Sequence, residues 1–176
     1  MPGEDCWTQA RVLRSDEANA VLAEVVGGLL KSKGLTIAFA ESCTGGKLGD
    51  MVTEVSGSSD YFLGGVVSYS NRAKVELLDV EKNTLDIMGA VSKDVALQMA
   101  AGARKKLHAD IGVGITGIAG PAGGTRAKPV GLVYIAVSSD KAAVCTKNLF
   151  KGSRHEVKMH SAVKALEMVR DFLVKV

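Results

Sequence analysis

Cysteine and histidine are scarce in this sequence, and their spacing does not suit the common metal and disulfide sites. The three cysteines form an odd set without a C-x-x-C pair. His155 and His160 are five residues apart, which places them on different faces of a helix. We therefore expect neither a disulfide framework nor a protein-bound metal, and the cysteine usage favours a reducing compartment.

The sequence also lacks a segment that resembles a signal peptide or a membrane span. Its longest apolar stretch, residues 18–30, is broken by Glu24, and the N-terminus is charged where a signal peptide is apolar. The 22 basic residues are interleaved with 19 acidic ones, for a net charge of +3. We expect a cytoplasmic protein whose main partner is neither a membrane nor a nucleic acid.

The composition is that of a globular domain. Hydrophobic residues make up 47% of the 176 residues and charged residues 23%, which is enough to build one buried core. We expect residues 1–176 to form a single domain. Within it, residues 1–14 are expected to be a poorly ordered extension, and the first helix is expected to open at residues 15–17 and end at Gly34.

Apolar periodicity and turn residues predict strands that alternate with helices, followed by a hairpin and a last helix. The expected strands cover residues 35–40, 61–69, 111–116, 130–138 and 143–150. Further helices are expected to end near residue 55, to lie within residues 71–88, to follow Ser92 as N-cap, and to begin at Ser153 with Glu156 in a capping box. This pattern indicates an α/β fold, a three-layer α/β/α domain with a mixed, mostly parallel sheet of about five strands and a C-terminal β-hairpin plus helix.

Residues 41–46, which read ESCTGG, lie where a strand ends and a helix begins. Open α/β sheets present ligands to backbone N–H groups at such places, so Ser42 is a candidate nucleophile. Two alternatives stay open at this point. Ser42 or Thr44 could simply cap the helix, and Cys43 could be the nucleophile, since a helix N-terminus can lower the pKa of a thiol.

Residues 69–74, which read YSNRAK, follow the next strand. In a parallel arrangement they would lie at the same edge of the sheet as Ser42, so that a serine, Tyr69 and Lys74 converge. A desolvated lysine beside a hydroxyl can lose its proton and serve as a general base, as histidine does in other hydrolases. The alternative is that Lys74 is a solvated side chain on a short helix.

Residues 112–117 match G-x-G-x-x-G literally, but we reject a dinucleotide-binding fold. The glycines lie inside a predicted strand, the following residues cannot open a helix, and Val137 stands where an acidic residue is required. What remains is a glycine-dense loop after Thr116. It suits either the approach of an anion to backbone amides or a plain turn.

Four segments together resemble the C-terminal domain of the CinA competence/damage-inducible family. They are residues 40–46, 69–74, 116–121 and 128–131, and the resemblance runs from about residue 17 to the end. It implies a nicotinamide-nucleotide amidohydrolase (PncC, NMN deamidase) of pyridine nucleotide salvage, which converts nicotinamide mononucleotide (NMN) to nicotinic acid mononucleotide and ammonia. It also implies a stand-alone form, without the N-terminal domain of the longer members, which is similar to molybdopterin-binding proteins.

The resemblance implies catalysis of the serine–lysine type without a metal or cofactor. Ser42 matches the nucleophile, Tyr69 and Lys74 match the other catalytic positions, and Thr116 and Arg154 match polar residues of the site. The family usually has an aspartate where this chain has Ala122, which bears on how this loop recognises ribose or phosphate. The remaining positions that we assign to substrate binding are Thr44, Gly45, Gly46, Gly117 and Gly120.

We therefore expect Ser42 to attack the carboxamide carbon while Lys74 takes its proton directly or through Tyr69. Backbone N–H groups of residues 44–46 are expected to stabilise the oxyanion, and Arg154 is our candidate for binding the substrate phosphate. A non-catalytic nucleotide-binding module is the main alternative, and a DNA-associated competence factor is a third hypothesis. The pattern is also compatible with a homo-oligomer.

Overall fold

A computed structural model describes the backbone of residues 5–175 and the side chains of residues 17–175. In this part of the chain, helices and strands alternate up to β3, and a β-hairpin and a long helix follow. The helices are α1 (Asp5–Lys33), α2 (Lys47–Thr53), α3 (Asn71–Leu78), α4 (Lys82–Met88), α5 (Lys93–Lys106) and α6 (Arg154–Lys175), with a 3₁₀ turn at Ser58–Asp60. The strands are β1 (Ile37–Glu41), β2 (Phe62–Val67), β3 (Ile111–Gly117), β4 (Leu132–Ser138) and β5 (Ala143–Leu149).

The five strands form one sheet in the order β2-β1-β3-β4-β5. β1 pairs in parallel with β2 and β3, whereas β4 is antiparallel to both β3 and β5. The sheet is therefore mixed, with β4 running against the other strands, as predicted. In the register, Glu41 lies opposite both Val67 and Ile115, so β1, β2 and β3 all reach the same edge of the sheet.

Helices cover both faces of the sheet, which confirms the three-layer α/β/α architecture. Side chains alternate along a strand, so Ile37 and Phe39 of β1 pack into a core with α1, α2 and α6, whereas Ala38 and Ala40 pack against α3 to α5. Each large apolar side chain that is fully buried in this way contributes about 1.5–3 kcal/mol. The small residues on the second face let α5 approach the sheet closely.

The glycines inside β3 serve this close approach. A Cβ on Gly112 would collide with the carbonyl oxygen of Ala100, and one on Gly114 with that of Ala96. The literal G-x-G-x-x-G match is therefore a packing feature between a strand and α5, and the structure agrees with our rejection of a dinucleotide fold.

Local hydrogen bonds confirm two predicted helix starts. The Ser92 hydroxyl accepts from the Val95 N–H, and Ser153 and Glu156 form a reciprocal capping box at the start of α6. The first helix differs from expectation, since it begins at Asp5 and not at residues 15–17. The described backbone is helical from Asp5, within the extension expected over residues 1–14, whereas residues 1–4 and the side chains up to residue 16 lie outside the described part. The poor order expected for this extension is untested and stays a prediction.

Two valines of α1 do not reach the core. Val21 is 56% exposed and Val25 44% exposed, while Val26 and Leu30 are buried.

No helix among the described residues is long and apolar enough to cross a membrane.

Candidate active site

The site begins at the end of β1, where the chain leaves the sheet. The Ser42 N–H donates to the Ile115 carbonyl (3.0 Å), and the Gly45 N–H closes a turn on the Ser42 carbonyl (3.2 Å). Gly45 and Gly46 both have positive φ, 61° and 96°, a backbone conformation that favours glycine. This turn holds Ser42 at the sheet edge with its side chain facing a cavity.

Glu41, to which the sequence alone assigned no role, organises this turn. Its carboxylate is 2% exposed and accepts hydrogen bonds from the N–H groups of Gly46 (3.0 Å), Leu48 (3.1 Å) and Gly49 (2.9 Å). These are donors at the start of α2 that would otherwise lack a partner, and a carboxylate is favourable there. The signal was an acidic residue at the end of an apolar strand, directly before a glycine turn.

Glu41 therefore caps the N-terminus of α2. The alternative interpretation of the sequence gave this role to Ser42 or Thr44. The N-cap residue of α2 is Gly46, which makes no side-chain cap, and the Ser42 hydroxyl is left for other contacts. The N–H groups of Gly45 and Gly46 are occupied within the loop, so they are not arranged as expected for binding an oxyanion. Among the described residues, the N–H groups of Cys43 and Thr44 have no oxygen acceptor.

Lys74 lies on α3, directly after β2, and its side chain extends to Ser42. Ser70 caps α3 by accepting from the Ala73 N–H, and Lys74 then points back under the sheet edge. Its side chain is 1% exposed, and Nζ donates to the Ser42 Oγ (3.0 Å) and to the Ser68 carbonyl (2.7 Å). The alternative of a solvated Lys74 is therefore wrong.

Burial lowers the pKa of Lys74, because desolvation penalises the ammonium form, and a negative charge on the neighbouring Cys43 would oppose this shift. No carboxylate of the described residues pairs with Nζ, and both of its hydrogen-bond partners are neutral oxygens. A neutral amine 3.0 Å from a hydroxyl can accept its proton, which is the geometry of a general base and its nucleophile.

Cys43 is a poor nucleophile in this setting. Its side chain is 6% exposed, and burial raises the pKa of its thiol to about 12. The nearby charges of Lys74 and Arg154 oppose that rise without cancelling it. Since the thiolate is the reactive form, the structure favours Ser42 over its neighbour.

Tyr69 and Arg154 meet across the mouth of the cavity. The Tyr69 side chain is 63% exposed, and its hydroxyl accepts from Arg154 Nη2 (3.0 Å). Arg154 Nη1 donates to the Gly120 carbonyl (2.7 Å), which ties the start of α6 to the glycine-dense loop. Tyr69 makes no hydrogen bond to Ser42 or Lys74 in the described structure, so the relay through Tyr69 has no support in this arrangement.

Two threonines of the expected site are deeply buried. The Thr116 side chain is 1% exposed, and its hydroxyl donates to the Ala90 carbonyl (2.8 Å), which joins β3 to the segment before α5. The Thr116 hydroxyl proton is therefore used in this hydrogen bond, while the hydroxyl oxygen can still accept one from a ligand. The Thr44 hydroxyl is fully buried without a partner, and its side chain does not line the cavity.

These groups surround a cavity of about 280 Å³. Its lining combines both predicted catalytic segments with the glycine-dense loop: Ser42, Cys43, Tyr69, Lys74, Ala90, Val91, Thr116, Gly117, Ile118, Ala119, Gly120, Ala122, Gly123 and Arg154. A larger cavity of about 530 Å³, near Arg104 and Asp110, lies at the opposite edge of the sheet. The Ser139 hydroxyl in its lining accepts from the backbone N–H groups of Lys141 and Ala142 and not from a lysine amine. No group of three or more His, Cys, Asp or Glu side chains in the described part is placed to hold a metal ion.

The model of the CinA C-terminal domain matches residues 19–173. The chain belongs to the CinA family. A putative competence-damage inducible protein of Moorella thermoacetica is 51% identical over 148 residues, and a CinA-like protein of Microcystis aeruginosa is 50% identical over 152 residues. These alignments cover 84% and 85% of this chain but 36% of each relative, so the chain spans about a third of the length of these curated relatives.

Solved structures of CinA proteins share the fold. The competence/damage inducible protein CihA of Agrobacterium tumefaciens has a TM-score of 0.84 and 39% identity, covering 86% of this chain and 93% of its own. A CinA superfamily protein of Klebsiella pneumoniae has a TM-score of 0.87 and 29% identity, covering 90% of this chain and 99% of its own. The names of these CinA proteins refer to competence and damage and specify no reaction.

Proposed function

We propose that this protein hydrolyses the carboxamide of NMN to nicotinic acid mononucleotide and ammonia. The observation that carries the chemistry is the 3.0 Å contact between Lys74 Nζ and Ser42 Oγ, made by two buried side chains at the edge of the sheet. The substrate class rests on the CinA resemblance. The buried lysine with a lowered pKa and the inert neighbouring thiol support a serine–lysine amidase.

The acylation step starts from neutral Lys74. The Ser42 hydroxyl donates its proton to Lys74 Nζ while Oγ bonds to the carboxamide carbon, and the carbonyl π pair moves to oxygen. The N–H groups of Cys43 and Thr44 are the loop donors left to stabilise this oxyanion, an effect worth about 3 kcal/mol per donor in other hydrolases. The Lys74 ammonium then protonates the leaving nitrogen, the C–N bond breaks, and ammonia departs from an acyl-enzyme.

Water resolves the acyl-enzyme by the reverse sequence. Lys74, neutral again, takes a proton from water as its oxygen adds to the ester carbon, and returns that proton to Ser42 Oγ as the C–O bond breaks. The direct Lys74–Ser42 contact makes a Tyr69 relay unnecessary. We assign Tyr69 and Arg154, which are bonded to each other at the mouth, to substrate positioning.

An ammonia-release assay on the purified chain tests the proposal. NMN, nicotinamide and NAD are compared, with Ser42→Ala as the matched control. We expect ammonia from NMN with the wild type and none with the folded variant. Binding of NMN without ammonia release would overturn the amidase and favour the non-catalytic nucleotide-binding module.

We further propose that the protein works in the cytoplasm. Cys43 and Cys145 are free thiols among the described residues, which is compatible with a reducing compartment.

A further inference from the structure

Two cations lie one helical turn apart at the start of α6: Arg154, which lines the cavity, and Lys158, whose Nζ lies over Gly45. Arg154 and Lys158 are four residues apart and therefore share a face of the helix. Neither forms a salt bridge with a carboxylate among the described residues. Like charges at this spacing repel each other, and a helix N-terminus is the unfavourable end for cations.

The nearest acid along the helix does not neutralise this pair. The Glu156 carboxylate turns back to the capping box and accepts from the Ser153 N–H at 2.7 Å. Across the groove, Lys47 on α2 has its own partner, since its Nζ lies 3.1 Å from an Asp50 oxygen. The surface next to the cavity therefore carries an uncompensated positive charge.

Lys158 is the member of the pair that has no hydrogen-bond acceptor among the described residues. Arg154 is held by the Gly120 carbonyl and the Tyr69 hydroxyl, both neutral, so its charge persists but its direction is restrained. Lys158 Nζ lies 3.5 Å from the position that a Cβ would take on Gly45, over the turn that starts at Ser42.

The turn from Ser42 to Gly45 determines how far the Lys158 ammonium lies from the Ser42 nucleophile. Gly45 hydrogen-bonds back to Ser42, so their Cα atoms are within roughly 7 Å, as in other turns of four residues. In a nucleoside monophosphate, the ribose separates the base from the phosphate by a comparable span. A carboxamide at Ser42 would thus bring a phosphate near Lys158.

We propose that Lys158 binds the phosphate of the substrate and so makes the site select a nucleotide over its nucleoside. The inference rests on the proposed function and adds a residue to it. The loop residue Ala122 supplies no polar side chain to the cavity, so the loop offers backbone groups at this position and the cations of α6 supply the positive charge. The flexible Lys158 ammonium would act there as a point charge, while the Arg154 guanidinium donates to the Gly120 carbonyl and the Tyr69 hydroxyl.

The test compares Lys158→Gln, Lys158→Arg and the matched control Lys164→Gln, which lies on the same helix and pairs with Glu167. NMN and nicotinamide riboside serve as substrates with and without phosphate. For Lys158→Gln we expect KM for NMN to rise about tenfold, or about 1.4 kcal/mol, with kcat nearly unchanged. Riboside hydrolysis should not change, and Lys158→Arg and Lys164→Gln should resemble the wild type.

An unchanged KM for NMN in Lys158→Gln would overturn the inference. An equal loss with the riboside would also overturn it, because Lys158 would then only support the Gly45 turn. Calorimetric binding of NMN to Ser42→Ala, with and without Lys158→Gln, gives the same answer without turnover. If Lys158→Gln weakens NMN binding but the wild type releases no ammonia, the amidase alone is refuted. If Lys158→Gln leaves NMN binding unchanged, the phosphate site is refuted.

Discussion

Replacement of Lys74 by arginine tests the proposed general base directly. Arginine keeps the positive charge and its hydrogen-bonding capacity, but it does not lose its proton in a protein. In the wild type, burial lowers the pKa of Lys74 below its ordinary value of 10.5, so that a neutral fraction exists at lower pH. Lys74→Arg should therefore remain folded and lose activity.

The structure indicates the size of this loss. Lys74 Nζ lies 3.0 Å from the Ser42 Oγ, within reach for direct proton transfer, and the Tyr69 hydroxyl is engaged by Arg154. Within the described part of the chain, no histidine lines the cavity to replace the base. We expect kcat/KM to fall by about 10²- to 10⁴-fold, which corresponds to about 3–5 kcal/mol of transition-state stabilisation.

The pH profile of kcat/KM provides a second readout. Only the neutral amine can accept the Ser42 proton, so the wild-type rate should rise with pH and level off above the pKa of Lys74. The midpoint should lie below 10.5, because desolvation disfavours the ammonium form. Stopped ammonia assays across this range measure it, with circular dichroism to show that each variant is folded.

Two results would refute this reasoning. Near wild-type kcat/KM in folded Lys74→Arg would mean that the residue only contributes charge. A pH-independent kcat/KM in the wild type would mean that no base titrates in the free enzyme. Arg72→Lys, an exposed change on the same helix, is the matched control and should leave the profile unaltered.

Three further predictions concern the nucleophile, the loop and the cofactor requirement. Ser42→Ala should abolish ammonia release while Cys43→Ala retains most of it, because burial raises the pKa of the thiol to about 12. Glu41→Gln should lower kcat more than it raises KM and reduce thermal stability by about 1–3 kcal/mol, because an amide cannot accept all three N–H bonds that the carboxylate accepts. Full activity should survive a strong chelator.

Each of these has an outcome that contradicts it. An active Ser42→Ala and an inactive Cys43→Ala would exchange the roles of the two residues. Unchanged kcat and unfolding temperature in Glu41→Gln would show that the carboxylate does not organise the loop. Loss of activity on chelation that added zinc restores would replace the serine–lysine mechanism with a metal-dependent one.

Most of the fold could be predicted from local sequence signals and from the resemblance to the CinA family. The Ser92 cap and the Ser153–Glu156 capping box were predictable because their partners lie within three residues. The antiparallel hairpin of β4 and β5 was likewise visible from two β-rich runs separated by a short turn. The order of strands and helices then indicated that Ser42 and Lys74 would meet at one edge of the sheet.

Burial and long-range contacts were decided by the tertiary structure. Lys74 is 32 residues from Ser42 and reads as a surface residue of a short helix, yet it lies under the sheet edge, where desolvation lowers its pKa. Tyr69 was expected beside this lysine but bonds to Arg154, 85 residues away.

The identity of the donors in the loop was also a tertiary result. Glu41 is the acidic last residue of an apolar strand, directly before a glycine turn, but its three N–H partners follow only from the way β1 ends with the carboxylate facing the start of α2. Periodicity and capping motifs depend on neighbours along the chain, and the sequence alone therefore determined the elements and their order. The environment of each catalytic side chain depends on which distant atoms exclude water around it, and only the packed structure decides that.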